Sequence, residues 1–151
     1  MRSMWQAMRF ALAVLAFSVP SAHAAKIDTP QTLAGVTVVD SAKVQELMAA
    51  GVAVYDVRVA AEYAEKHIKG AKNLPYKEKS AKAADFDKHQ DSFALNRLPA
   101  DKNTPIVVYC NSGDCWKSYK AAKVAVEAGY RKVYWFRGGF PEWSSKSLPV
   151  E

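Results

Sequence analysis

Short apolar runs alternate with helical segments along this chain. That alternation restricts its architecture more than any other feature. Residues 36–39 (VTVV), 52–57 (VAVYDV), 106–109 (IVVY) and 133–136 (VYWF) have the length and the β-branched or aromatic content of strands. VAVYDV and IVVY carry almost no polar positions, as strands covered on both faces do. Residues 71–74 read as a further short strand ending at Pro75. Residues 42–50 place Val44, Leu47 and Met48 at helical spacing, with Asp40 and Ser41 as capping residues and Gly51 as the stop. Residues 58–66 and the Ala-rich residues 117–128, closed by Gly129, read as helices. A last short helix begins at Phe140, after a Gly138-Gly139 turn. Residues 76–103 are polar and lysine-rich, with one amphipathic piece at 86–95. Strands alternating with helices predict a parallel α/β sheet with helices on both faces.

The first 24 residues belong to a different class. Arg2 and Arg9 precede the short apolar run 10–19 (FALAVLAFSV), and Ala22-His23-Ala24 is a small-x-small cleavage pattern. The run is too short to span a bilayer comfortably. We expect a secretory signal peptide at 1–24, cleavage before Ala25, and a bacterial periplasmic protein with no membrane attachment afterwards. Residues 25–35 form a polar lead-in, and the folded domain is expected over 36–151. The signal holds two of the 21 Lys and Arg and none of the 15 Asp and Glu, so the mature chain carries 19 against 15, or +4. No basic stripe interleaved with aromatics accompanies that surplus, so nucleic acid is not an expected partner.

At 50% hydrophobic and 24% charged residues, the 151-residue chain is neither collagen-like nor disordered. Two cysteines cannot build a disulfide framework, and there is no CxxC pair. His67 and His89 have no ligand spacing around them, so neither a metal nor an organic cofactor is expected.

The reactive candidate follows from position. In parallel sheets ligands bind outside the carboxyl ends of the strands. The strand 106–109 runs straight into Cys110-Asn111-Ser112-Gly113-Asp114-Cys115-Trp116, and Lys117 and Ser118 open the next helix. A loop between a strand end and a helix N-terminus turns several backbone N–H groups toward one point, where the helix dipole adds positive charge. A cysteine there has its thiolate stabilised and becomes a nucleophile. Gly113 allows the tight bend, and Lys117 can point its charge into the loop. Cys110 is the first choice and an inert buried thiol the alternative. Cys115 is a spectator, or a disulfide partner of Cys110 in an oxidising compartment.

Three segments carry a family resemblance. Residues 56–75 (DVRVAAEYAEKHIKGAKNLP) resemble the first signature of rhodanese (sulfurtransferase) domains. The strand 106–109 followed by Cys110 is similar to the strand that enters their active-site loop. Residues 129–143 (GYRKVYWFRGGFPEW) are similar to their closing signature. The resemblance implies a five-stranded parallel sheet flanked by helices on both faces, in a single exported domain. It implies that Cys110 takes a sulfane sulfur from thiosulfate or a related donor, holds it as a persulfide, and passes it to a thiol or cyanide-type acceptor. Residues Asn111, Ser112, Gly113, Asp114, Trp116, Lys117 and Ser118 would form the anion-binding loop. Asp56 and Arg58 would pair structurally near the site, with Arg58 facing the pocket as the alternative. Glu62 and His67 would cap and brace the second helix.

The loop departs from the common pattern of the family. It is longer, and the extra length includes Cys115-Trp116, so the chain resembles a subgroup with a Cys-Trp loop variant. Aligning on the helix rather than the strand moves the nucleophile to Cys115. The two cysteines could also form a redox or sulfur-relay pair, one attacking and the other resolving. Trp116 is then a pocket wall or core packing. Lys117 stands seven positions after Cys110, so the Cys-x5-Arg spacing of phosphatases is not met. The functions to weigh are a periplasmic sulfurtransferase, a two-cysteine redox or sulfur-relay module serving a periplasmic redox protein, and a non-catalytic binding domain. A monomer is expected.

Overall fold

The computed structural model describes residues 25–151. The expected signal peptide lies outside them. Five strands form one parallel sheet in the order β1-β5-β4-β2-β3. They are β1 (Val36–Val38), β2 (Ala53–Asp56), β3 (Lys72–Asn73), β4 (Ile106–Tyr109) and β5 (Val133–Phe136). The helices are α1 (Ser41–Ala49), α2 (Ala60–Glu65), α3 (Trp116–Glu127) and α4 (Gly139–Ser145). The register sets Val54 beside Val107 and Val107 beside Tyr134, so β4 is hydrogen-bonded along both edges.

Alternation along β4 divides the core. Ile106 and Val108 face α3, where they pack with Tyr119, Ala121, Ala122 and Ala125. Val107 and Tyr109 face the other way, among Val44 and Leu47 of α1, Phe136 of β5 and Trp143 of α4. Both faces of the central strands are covered, which explains their near-continuous apolar sequence. Asp40 caps α1 by accepting the Lys43 amide at 2.9 Å.

In residues 76–103, short 3₁₀ turns form at Lys88–Gln90 and Leu95–Arg97, within and at the end of the amphipathic piece at 86–95. Buried charge organises this segment in place of helical periodicity. Lys120 of α3 is fully buried, and its Nζ lies 2.9 Å from Glu78 Oε2. The same Nζ donates to Ser80 Oγ at 2.8 Å. Asp91 accepts from Tyr76 Oη, the Lys79 and Ser80 amides and Ser80 Oγ, which ties the start of the segment to its middle.

Candidate active site

The carboxyl end of β4 opens into the loop that carries both cysteines. Cys110 follows Tyr109 directly and is 2% exposed. Cys115 is half-buried and is the N-cap residue of α3. Their sulfurs are joined in a disulfide, with the Cα atoms 6.2 Å apart. Cys110 stands at the strand end, as expected, and of the two cysteines Cys115 is the one at the helix N-terminus. A turn closed by the Cys115 amide donating to Ser112 O at 2.9 Å delays the helix to Trp116, so Cys115 receives the N-cap position. The helix dipole favours a thiolate at that end. The disulfide holds the Cys110 sulfur beside it.

Neighbouring elements fix the loop from several sides. The Phe140 amide donates to Cys110 O at 2.9 Å, which couples α4 to the strand end. Gly139, at φ 62°, is required at that contact. A Cβ there would lie 2.2 Å from Asn111 O and 2.4 Å from Cys110 O. Asn111 Nδ2 donates to Glu62 Oε1 at 2.8 Å. Glu62 therefore holds the loop rather than capping α2, whose N-cap Val59 has no side-chain cap. His67 does brace the end of α2, stacked on Tyr63 with ring centroids 3.6 Å apart.

Several residues expected to bind an anion have other partners. Ser112 Oγ donates to Asp114, and Lys26 Nζ lies 3.0 Å from Asp114 Oδ2. The hydrogen bonds from Ser112 and then Lys26 hold the Asp114 carboxyl below the usual range. Ser118 is buried and its hydroxyl accepts the Trp135 indole N–H at 2.9 Å, so it serves the core and not the loop. Trp116 is 4% exposed and packs edge-on against Tyr119 in the core. Its Nε1 donates to Ile27 O at 2.8 Å. Lys117 lines a cavity of about 350 Å³ with Val59, Pro75 and Tyr76, just beyond the ends of β2 and β3.

Asp56 and Arg58 form a buried pair. Arg58 Nη2 donates to Asp56 Oδ2 at 2.7 Å and Nε donates to Oδ1 at 3.0 Å. Burial pulls the guanidinium pKa down, but the hydrogen bond and charge of Asp56 outweigh it and raise it. Arg58 also reaches a cavity of about 220 Å³ with Glu62, Glu65, Lys66 and Phe140, and its Cζ lies 4.5 Å from the Phe140 ring centroid. Arg58 is thus the ion-pair partner of Asp56, and the cavity it lines is formed by residues of α2 and α4 rather than by the cysteine loop.

Sequence reasoning missed the lead-in. Thr29 is 3% exposed and lies across the loop, with its amide donating to Gly113 O at 2.8 Å. Arg137, at the end of β5, donates from Nη2 to Thr29 O at 2.9 Å. The short lead-in ending at Pro30 carries no periodicity from which this contact could be read.

The sequence profile of the Rhodanese-like domain family matches residues 40–146. This chain belongs to that family. A rhodanese-like domain accounts for the order β1-β5-β4-β2-β3 and for a cysteine loop at the end of the central strand. The chain is 31% identical to the Thiosulfate sulfurtransferase GlpE of Haemophilus influenzae, across 70% of this chain and 86% of that protein. It is 30% identical to a sulfurtransferase of Allochromatium vinosum, across 63% of this chain and 74% of that protein. Among solved structures, the BH2092 protein of Bacillus halodurans superposes with a TM-score of 0.57 at 26% identity, across 76% of each chain. These relatives support sulfurtransferase activity for the rhodanese-like domain in general terms.

Proposed function

We propose that this protein is a sulfurtransferase that moves sulfane sulfur from thiosulfate, or a related donor, to a thiophilic acceptor through a persulfide on Cys110. The observation that carries the reading is the position of Cys110 at the carboxyl end of the central strand, on a loop that ends at the N-terminus of α3. A dithiol first reduces the pair by thiol–disulfide exchange, giving up two electrons and two protons and leaving as its own disulfide. The Cys110 thiolate then attacks the outer sulfur of thiosulfate, the S–S bond of the donor breaks, and sulfite leaves with the bonding electrons. An acceptor thiolate or cyanide takes the outer sulfur and regenerates the Cys110 thiolate. Loop amides and the dipole of α3 stabilise the anionic sulfur at each stage. The pattern of residues 1–24 supports export to the periplasm before this chemistry begins.

The disulfide favours a second reading, a two-cysteine relay. Here the Cys115 thiolate attacks the inner sulfur of the Cys110 persulfide, forms the Cys110–Cys115 disulfide, and releases the outer sulfur as hydrosulfide. Intact mass of the exported, pre-reduced protein after brief exposure to thiosulfate tests both. The first reading expects one added sulfur on the peptide carrying Cys110, on a chain that begins at Ala25. The relay expects loss of two hydrogens and no retained sulfur, and it expects Cys115→Ser to trap the persulfide. Sulfur found on Cys115 would overturn the assignment of Cys110.

A further inference from the structure

The lead-in and the cysteine loop are joined through one hydroxyl. Thr29 Oγ1 donates to Gly113 O at 2.6 Å and accepts from Arg137 Nε at 3.1 Å. The Thr29 amide donates to the same Gly113 carbonyl, and Arg137 also donates to Thr29 O and Pro30 O. The hydrogen-bond partners of Arg137 are thus all uncharged oxygens, turned toward it by the lead-in. Gly113 completes the triangle by having no side chain. A Cβ there would lie 2.8–2.9 Å from the guanidinium carbon and both terminal nitrogens of Arg137. Gly113 is also the apex of the loop, between Cys110 and Cys115. Two outer contacts, Trp116 Nε1 to Ile27 O and Lys26 to Asp114, hold the lead-in on either side.

We propose that Thr29, braced by Arg137, is a positioning residue for the cysteine pair: it pins the apex of the loop that their disulfide closes, and so makes the disulfide harder to reduce. Closing a loop costs conformational entropy, and an apex already fixed has less to lose. Reduction separates the sulfurs but leaves the apex pinned, so the thiols remain poised to re-form the bond. Contacts that favour the closed loop over the open one shift the thiol–disulfide equilibrium toward the disulfide. In that equilibrium a dithiol attacks one cysteine sulfur, breaks the Cys110–Cys115 bond and forms a mixed disulfide. Its second thiol displaces the protein. Two electrons and two protons pass from the dithiol to the cysteines, and the dithiol leaves oxidised. The proposal rests on Cys110–Cys115 being the reactive centre, not on which sulfur donor it serves.

The test is equilibration of the whole mature protein with reduced and oxidised dithiothreitol, read by alkylation and mass, for wild type, Thr29→Val and Thr29→Ser. Valine keeps the shape and the amide but removes the hydroxyl. We expect Thr29→Val to move the equilibrium constant about tenfold toward the dithiol, or about 30 mV for two electrons. Thr29→Ser should stay within about twofold of wild type, because it keeps the hydroxyl. Arg137→Lys, which leaves Thr29 in place but loses the guanidinium fork, should shift in the same direction as valine. An unchanged equilibrium in both Thr29→Val and Arg137→Lys, or equal shifts in serine and valine, would overturn the proposal. No sulfur donor is present in this measurement. Its failure therefore leaves sulfur transfer standing, and failure to load sulfur from thiosulfate leaves the role of Thr29 standing.

Discussion

Tyr109 donates a 2.7 Å hydrogen bond to Asp56 Oδ2 and accepts one from the Ile68 amide at 3.2 Å. One phenol therefore links the last residue of β4, the last residue of β2 and the turn that follows α2. Asp56 is fully buried and its charge is matched by Arg58. Burial, with the neighbouring Asp56 charge, pushes the phenol far above its ordinary pKa, so Tyr109 stays a donor through the physiological range. Tyr109→Phe keeps the ring but strands the Ile68 amide without its acceptor. We expect a loss of about 1–3 kcal/mol, read by urea unfolding. Asp56→Asn goes further because it leaves the Arg58 guanidinium buried without its charge partner. About 3–5 kcal/mol is expected there. A loss below 1 kcal/mol for Asp56→Asn would mean that Arg58 finds water instead.

Asn111 and Glu62 tie the cysteine loop to α2. Glu62→Ala removes an acceptor that is only partly buried, so the expected stability cost is about 1 kcal/mol. Sulfur loading from thiosulfate, by contrast, should slow several-fold, because Asn111 is adjacent to Cys110 and loses its orientation. Loading kinetics set beside thermal unfolding separate the two effects. A rate that falls only in proportion to the unfolded fraction would assign Glu62 a structural role alone.

Gly139→Ala should disturb the cysteine loop directly. Its Cβ would collide with the carbonyls of both Cys110 and Asn111, and φ 62° already disfavours alanine. Either α4 or the loop must move. Overpacking together with backbone strain costs about 2–4 kcal/mol, measured as a fall in unfolding midpoint. The reduced variant should also lose reactivity toward a thiol-directed reagent. Wild-type stability with unchanged thiol reactivity would contradict the close approach.

The strands were legible because β2, β4 and β5 need apolar side chains on both faces, and no other element here has so dense a run. Cys110 could be placed because ligands gather at the carboxyl ends of such strands. The helix ends were legible to within a residue or two from Asp40, Gly51 and Gly129. Three features were not legible. Glu62 reads as a helix residue until the fold brings Asn111 beside it. Thr29 contacts residues 84 and 108 positions away. Lys120 sits at helical spacing among exposed-looking lysines, and its burial depends on Glu78 and Ser80, which precede it by about 40 positions. Polar contacts between distant segments leave no periodic trace in a chain, whereas burial on a regular element does.

Those buried polar contacts give the molecule a defined acid limit. At Asp91, burial pushes the carboxyl pKa up, but the hydrogen bonds from Ser80, Lys79 and Tyr76 outweigh it and bring it to about 2. A carboxylate whose folded pKa lies below its unfolded value stabilises the fold above the unfolded value. That contribution fades as pH falls through the folded one. The contribution of Asp91 is therefore complete above about pH 5, and is lost between roughly pH 4 and pH 2, at about 2 kcal/mol. Asp91→Asn should remove most of it at pH 7 and flatten the acid limb of a stability–pH curve measured by urea unfolding. Its four donors all serve residues 76–80, so limited proteolysis of the variant should cut first within that segment. An acid limb as steep in Asp91→Asn as in wild type would place the acid-sensitive group elsewhere.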